Sequence, residues 1–463
     1  MADTAANPRP AQLAFYGDDF TGSTDALEVL ALAGLKCALF LKAPSPRDLE
    51  RLGRLDAVGV AGDSRAMQPH EMDEALPLVL QALAKLAPIV HYKVCSTFDS
   101  APHIGSIGRV VQIARTHLGC GTVPIVGGNP ALGRYLLFGH LFARSGTDGK
   151  VYRIDRHPIM SVHPVTPMDE ADLAVHLARQ APLSIAHLTL AELEQAPQAL
   201  DATLAALLQR QPDALLIDGA STAHMAVVGR LLENAAGAQA PLFVVGSSGV
   251  QHALTQRWPA EPGTAERFAR FSAVDRVLAV SGSASTLTAM QIDAALEAGF
   301  AGIAVKAREL VDDSLWPQAR QALVASAAAL LAQGRSVMVH SARGPQDPRI
   351  EDTIGALVAG GLTPEAARHD GGRRLGQRLG LVTRDILARV PLRRLLLSGG
   401  DTSSQVTQVL APQALTVAAR LAPGAPLCRL HAADARLDGM EVALKGGQMG
   451  DVQFFERARS GNA

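Results

Sequence analysis

Short runs of apolar and β-branched residues alternate with longer stretches of helical periodicity, and this alternation restricts the fold more than any other feature of the chain. Leu13–Tyr16, Cys37–Leu41, Ala57–Ala61, Ile89–Tyr92, Val123–Val126, Ala214–Ile217 and Leu242–Val245 read as strands. Helical spacing fills Ser23–Leu35, His70–Leu86, Ile107–Leu118, Leu190–Gln209 and Thr222–Glu233. Such alternation builds a mostly parallel sheet covered by helices. From Arg257 to Arg270 the chain turns to prolines, a glycine and mixed charge, the composition of a boundary. A second block follows. Its strands are expected at Val277–Val280, Gly302–Val305, Ser336–His340 and Arg394–Leu397, and its helices at Thr286–Ala298, Pro317–Gln333, Arg373–Val390 and Ser403–Leu410. The expected fold class is α/β, in two domains, each a mostly parallel or mixed sheet flanked by helices. Their expected bounds are residues 1–256 and 273–463, with a linker over 257–272.

Composition narrows the function. The net charge is −1 and aromatics make up 4%, so neither a basic field nor a stacking surface is offered to nucleic acid. No run approaches the roughly 18 apolar residues that span a membrane. The polar, proline-bearing start from Met1 to Gln12 has no apolar core of a signal peptide. Cys37, Cys95, Cys120 and Cys428 are not paired at metal spacing and read as reduced thiols of a cytoplasmic protein.

The strand Leu13–Tyr16 runs into Gly17-Asp18-Asp19-Phe20-Thr21-Gly22-Ser23-Thr24-Asp25. Ligands of α/β proteins sit at the carboxyl ends of strands, which aims this acidic turn at a ligand. Adjacent residues leaving a strand point to opposite sides, so one carboxylate can face the ligand while the other holds the turn. Such a carboxylate can take a hydroxyl proton or hold Mg²⁺. Equally, both could be turn and cap residues only. Between Arg153 and Met168 the chain is rich in His, Pro and Met, and its three prolines exclude a helix. His157 and His163 are spaced too far apart for a helical metal pair, and a substrate-lining loop is the better expectation.

Three glycine-bearing turns follow strand runs in the second block: Ser281-Gly282-Ser283, Ser398-Gly399-Gly400-Asp401-Thr402-Ser403 and Lys445-Gly446-Gly447. Glycine lets backbone N–H groups approach a ligand, and a helix starting there adds its positive end, which suits phosphate. One such turn is ordinary packing; three in one domain favour a nucleotide. The chain has no Gly-x₄-Gly-Lys-Ser/Thr loop, protein-kinase set or dinucleotide fingerprint. A dehydrogenase is therefore disfavoured.

Taken in order, these stretches resemble the four-carbon acid sugar kinase family. The resemblance is carried by Gly17–Asp25, Lys93-Val94-Cys95-Ser96-Thr97-Phe98-Asp99-Ser100, Gly105-Ser106-Ile107-Gly108, His163-Pro164-Val165-Thr166-Pro167-Met168, Ser281–Ser283, Gly399–Ser403 and Leu444–Asp451. It spans nearly the whole chain. It implies a sugar-acid-binding N-terminal domain, a nucleotide-binding C-terminal domain, and a reaction in the cleft between them. It implies transfer of the γ-phosphate of ATP to a hydroxyl of a small sugar acid, with Mg²⁺. Ser283, Gly399, Gly400, Asp401, Thr402 and Gly447 would line ATP, and Asp401 would hold Mg²⁺. A homodimer is a further expectation.

For the acceptor, Asp18 or Asp19 is the expected base, and Lys93 the partner of the acid group or of the transferring phosphoryl. Ser96, Thr97 and Asp99 are expected on sugar hydroxyls, Asn129 and Arg134 on the carboxylate, and His163, Ser247 and Ser248 around the pocket. A 3-oxo acid of the 3-oxo-isoapionate or 3-oxo-tetronate type is the expected substrate, with D-threonate or D-erythronate as alternatives. A sugar-acid-binding protein without catalysis is the alternative of another class. The chain departs from the family at Gly17 (usually Ala), Asp401 (often Glu) and Gly446–Met449, and by a longer insert over Arg153–Met160; these departures bear on which acid is used.

Overall fold

A computed structural model describes residues 11–146, 149–163, 165–236, 241–258 and 264–462. The chain divides into two compact units, Met1–Pro262 and Gly263–Ala463. Within the expected linker, residues 259–263 lie outside the described residues, and Thr264–Ala269 is a short helix. Among the described residues no helix is long and apolar enough to cross a membrane.

In the first unit, β1 (Leu13–Gly17), β2 (Cys37–Phe40), β3 (Ala57–Ala61), β4 (Ile89–Lys93) and β5 (Val123–Val126) alternate with helices. A small antiparallel sheet of β6 (Arg134–Leu137), β7 (His140–Arg144) and β8 (Val151–Arg153) interrupts the pattern. β9 (Ile185–Leu188), β10 (Ala214–Ile217) and β11 (Leu242–Gly246) resume it. The main strands pair in the order β2-β3-β1-β4-β11-β5-β10-β9, all parallel. Both faces are covered, so β1, β3 and β4 are buried along their whole length and read as unbroken runs. Each large aliphatic or aromatic side chain buried this way contributes roughly 1.5–3 kcal/mol. Between β1 and β4 the order of winding reverses, and such a switch point opens a crevice at the carboxyl ends of the strands.

In the second unit, β12 (Leu278–Ser281), β13 (Ala301–Ala304), β14 (Val337–His340), β15 (Arg394–Ser398), β16 (Ala414–Ala422), β17 (Ala425–His431) and β18 (Glu441–Lys445) pair in the order β13-β14-β12-β15-β18-β17-β16. The first five in that order are parallel, and the β17 pairings are antiparallel. A core of residues including Phe271, Ile292, Phe300, Leu396, Phe454 and Phe455 packs on this sheet.

Several boundaries differ from the sequence reading. The first helix runs Phe20–Leu32 rather than starting at Ser23, because Asp19 caps it and Ser23, Thr24 and Asp25 lie buried within it. The long helix expected over Leu190–Gln209 is two, Leu190–Leu193 and Pro197–Leu208, with Pro197 opening the second. The helix expected over Arg373–Val390 begins earlier in the sequence, at Pro364, behind the cap of Thr363.

Arg394 fixes the base of the second sheet. It is fully buried, donates to Glu441 at 2.9 and 2.6 Å and to the Ser272 carbonyl at 3.0 Å, and also donates to the Ala458 carbonyl. Removing one partner of a buried pair strands the other charge. Arg394→Met should therefore cost about 3–5 kcal/mol of stability in denaturant titration; a cost under about 1 kcal/mol would show the pair is dispensable.

Candidate functional site

Parallel register brings the flagged segments of the first unit to one edge. Gly17 pairs with Ala61 on one side and Lys93 on the other, Lys93 pairs with Gly246, and Gly246 pairs with Val126. The residues that follow, Asp18, Gly62–Arg65, Val94–Asp99, Ser247 and Gly127–Asn129, leave the sheet side by side.

Asp18 and Asp19 divide their work. Arg65, which the sequence reading missed, forks onto Asp18 through Nε at 3.1 Å and Nη2 at 2.8 Å. Its Nη2 also donates to Asp19 at 2.9 Å. The Arg65 backbone N–H donates to the Asp18 carbonyl at 3.0 Å, so the two turns hold each other. The available signal was its place just beyond the strand Ala57–Ala61, next to the acidic turn. Asp19 caps the helix, accepting from Gly22 N–H at 3.1 Å and Thr21 Oγ1 at 2.7 Å. The Asp18 side chain is only 4% exposed while that of Asp19 is 22% exposed, so Asp19 is the more accessible of the two carboxylates. Burial pushes the Asp18 pKa up against the pull of Arg65, and the charge of Asp19 adds to the rise. Burial would raise Asp19 as well, but Arg65, Lys93 and the Thr21 and Gly22 hydrogen bonds outweigh it and hold Asp19 below the usual carboxylate range.

Lys93 is buried at the end of β4. A methyl group on Gly22 would lie 2.2 Å from its Nζ and 2.3 Å from Asp19 Oδ1, so glycine leaves room for ammonium and carboxylate to face one place. Beneath them His91 is fully buried, with a pKa lowered to about 3 by burial. The neutral ring donates from Nε2 to the Gly246 carbonyl at 3.0 Å and accepts from Gln251 at 2.7 Å, fixing the peptide that leads to Ser247.

The other expected acceptor residues fall into three groups. Asn129 is fully buried and donates to Ser247 at 3.3 Å and Ser248 at 3.0 Å, while its Oδ1 has no partner. These three residues do come together. Thr97 donates to Asp99 at 2.6 Å, Ser96 is half-buried beside them, and Phe98 is core. Arg134 and His163 are engaged locally. Arg134 Nη1 donates to the Leu132 and Arg144 carbonyls at 2.6 and 3.3 Å. His163 Nδ1 accepts from Thr166 N–H at 3.1 Å; Pro164 beside it lies outside the described residues. His157 likewise accepts from Ile159 and Met160 N–H groups, at 3.2 and 3.3 Å. Each ring therefore braces its own turn.

In the second unit the three glycine turns converge. Ser281 pairs with Ser398, and Ser398 with Lys445, so the turns leave β12, β15 and β18 together. Gly399 has φ 105° and its Cβ position is 3.2 Å from Ser283 N; that of Gly282 is 2.0 Å from Thr402 Oγ1, and that of Gly447 is 2.9 Å from Ser283 Oγ. Helices start at Thr286, capped by Ser285, and at Gly400. Gly400 faces open space, Asp401 is exposed at the same helix end, and the buried hydroxyls of Ser281 and Ser403 have no partner. Lys445, fully buried, donates to Thr288 Oγ1 and Ser398 Oγ at 3.1 Å each and to the Gly446 carbonyl at 3.0 Å. It too was missed as a site residue, although it opens the third turn.

The departure at Gly17 has a packing cause. A methyl group there would lie 1.9 Å from Ser23 Oγ. Ser23 fills the space that a side chain at position 17 would need, and its hydroxyl donates to the Asp19 carbonyl at 2.6 Å.

Comparison with known proteins gives three concordant likenesses. The family model described as a Sugar-binding N-terminal domain matches residues 13–254, and that described as a Nucleotide-binding C-terminal domain matches 278–455. A 3-oxo-isoapionate kinase of Paraburkholderia graminis is 43% identical over 99% of this chain and 96% of its own length. A 3-oxo-tetronate kinase of Methylobacterium radiotolerans is 30% identical over 96% of this chain and 98% of its own. A crystal structure of a Salmonella typhimurium LT2 protein shares the fold, with TM-score 0.74 and 23% identity over 97% of this chain and 98% of that one.

The Gly17–Ser23 exchange makes a double-mutant prediction. Gly17→Ala alone should destabilise the chain, and Gly17→Ala with Ser23→Ala should recover part of the loss, with a coupling of about 1–3 kcal/mol in denaturant titration. Additive single effects would refute the exchange.

Proposed function

The chain belongs to the four-carbon acid sugar kinase family, and from that premise we propose that its acceptor is a 3-oxo sugar acid, of the 3-oxo-isoapionate type before the 3-oxo-tetronate type. Membership makes it a phosphotransferase that uses ATP and an alcohol acceptor. The full-length 43% likeness to a 3-oxo-isoapionate kinase carries the choice of acid.

Lys93 would receive an anionic group, the acid's carboxylate or the phosphoryl in transit. Asp19 would accept the proton of the attacking hydroxyl. Its lowered pKa suits a loose transition state, in which the proton leaves late and the base need only be ionised and in place. Asp18 would act through Arg65, orienting Asp19. Asn129 with Ser247 and Ser248, and Thr97 with Asp99, offer hydroxyl and amide contacts to the sugar; the unpartnered Asn129 Oδ1 is suited to a ligand hydroxyl.

ATP fits the second unit's turns. Ser283, Gly399, Gly400, Thr402 and Gly447 present close backbone and small side chains, and two helix starts offer positive ends to phosphate. The orphan hydroxyls of Ser281 and Ser403 are groups a phosphate chain could complete. Mg²⁺ would be held by Asp401 with waters, since magnesium takes few carboxylates, and would supply charge neutralisation on the phosphates.

The reading is tested by assaying ATP-dependent phosphorylation of four- and five-carbon sugar acids and their 3-oxo forms; a marked preference for D-threonate over every 3-oxo acid would overturn the choice of substrate. Asp19→Asn keeps a good helix cap, so it should fold while losing about 10²–10⁴-fold in turnover. Asp18→Asn should lose less; the reverse ranking would make Asp18 the base. Gly400→Val points into open space, so it should leave stability within about 1 kcal/mol and raise the KM for ATP about tenfold or more. An unchanged KM would move the nucleotide elsewhere.

A further inference from the structure

Lys445 is the most unusual buried charge in the second unit. Its amine has no exposure and its three contacts are all neutral oxygens. Each belongs to a different part of the glycine cradle. Ser398 is the last residue before Gly399. Thr288 lies in the first turn of the helix capped by Ser285, and its hydroxyl also donates to the Gly447 carbonyl at 3.1 Å. Gly446 starts the third turn. The ammonium therefore ties the three turns together through its full set of three donors.

Among the described residues no carboxylate pairs with it. On the helix Thr286–Glu297, Asp293 pairs with Arg343. On β15 and β18, Arg394 and Glu441 pair with each other at the opposite strand ends. Asp451 beyond the third turn pairs with Arg457 of the helix Phe454–Ser460 at 2.8 Å, and Asp401 on the helix Gly400–Leu410 is exposed. From the helix Phe454–Ser460 only the Phe454 ring lies near, 5.8 Å from Nζ. A buried ammonium without a counter-ion is disfavoured in its charged form.

Resting on the nucleotide reading above, we infer that Lys445 is a positioning residue that pins the three glycine turns and takes up a proton when the phosphates of a nucleotide bind over them, the nucleotide being its missing counter-ion. Burial lowers the Lys445 pKa to about 7, so near neutral pH the free protein holds this amine partly uncharged. An anion bound at the turns favours the ammonium and raises that pKa. Uptake is then small well below pH 7, where the amine is already charged, and largest between the free and bound pKa values. Over that interval nucleotide affinity falls as pH rises, by up to about tenfold per unit.

Calorimetric titration of ADP into the full chain at pH 8, in HEPES and in Tris, reads the proton count directly, because the two buffers differ in ionisation enthalpy. Uptake approaching one proton per ADP, at most about 0.9, is expected. Lys445→Met should abolish the uptake and weaken ADP about tenfold or more at pH 7, whereas a merely structural lysine would leave no proton signal to lose. Equal binding heats in the two buffers with wild-type protein would overturn the inference while leaving the nucleotide site intact. The same uptake in Lys445→Met would assign the proton to another group. Absence of ADP binding by wild type would overturn the nucleotide reading and this inference with it. If Lys445→Met does not fold, Lys445→Arg, whose guanidinium is already charged at pH 8, takes its place: it should bind ADP without proton uptake, and undiminished uptake would assign the proton to another group.

Discussion

Parallel register is the constraint on which the rest depends. Within each unit, neighbouring strands end level with one another, so whatever follows them must share one edge. In the first unit Gly17, Ala61, Lys93 and Gly246 stand abreast, and an acidic turn, an arginine, a lysine and a serine pair become neighbours although more than two hundred residues separate the first from the last in sequence. In the second, Ser281, Ser398 and Lys445 do the same for three glycine turns. The hydrogen-bonded ladder brings each group together, and the Arg65 fork and the Lys445 amine then hold the turns to one another.

The acidic turn and the glycine cradle treat buried charge in opposite ways. In the first, Arg65 lies between two carboxylates, and the cluster resolves into one carboxyl pushed up and one held down. Such a cluster is nearly complete without a ligand. In the second, Lys445 is solvated by hydroxyls and a carbonyl alone. Dipoles satisfy its hydrogen-bond donors but do not neutralise its charge, which leaves the cradle electrically unfinished. Around it Gly399 and Gly447 approach Ser283 so closely that a side chain at either position would crowd it.

What could be read from the sequence follows from how local each signal is. The buried parallel strands, the acidic turn and the three glycine turns are continuous motifs, and strand–helix alternation placed them at strand ends. Arg65 and Lys445 are single residues whose meaning depends on a neighbouring strand, and their place just beyond or at the end of a strand run is the only signal their own sequence context offers. Arg134 and His163 show the converse. Their residue types suit an acid group, but Leu132, Arg144 and Thr166 engage them close by in sequence. The hairpin β16–β17 and the edge strand β9 lacked the unbroken apolar run of a two-sided strand, being partly exposed on one face or at an edge. The helix starts at Phe20 rather than Ser23 because the Asp19 carboxylate is the cap, whereas Ser23, Thr24 and Asp25, three residue types that themselves favour cap positions, lie inside it.

The Gly17–Ser23 contact restricts the routes by which this acidic turn can change during descent. With serine in place, alanine at position 17 meets a hydroxyl at 1.9 Å; with alanine at both positions the hydroxyl is gone and the two β-carbons are left 3.0 Å apart, a contact that a small shift of the turn has to relieve. A lineage moving between the two forms can pass safely only through the looser intermediate, glycine at the first position with alanine at the second, which leaves a small gap and forfeits the Ser23 hydrogen bond to the Asp19 carbonyl. The order of the two substitutions is thereby set. Beside a carboxylate that must keep its place, volume is inherited as a pair, and either residue taken singly is a poor guide to which ligand the protein accepts.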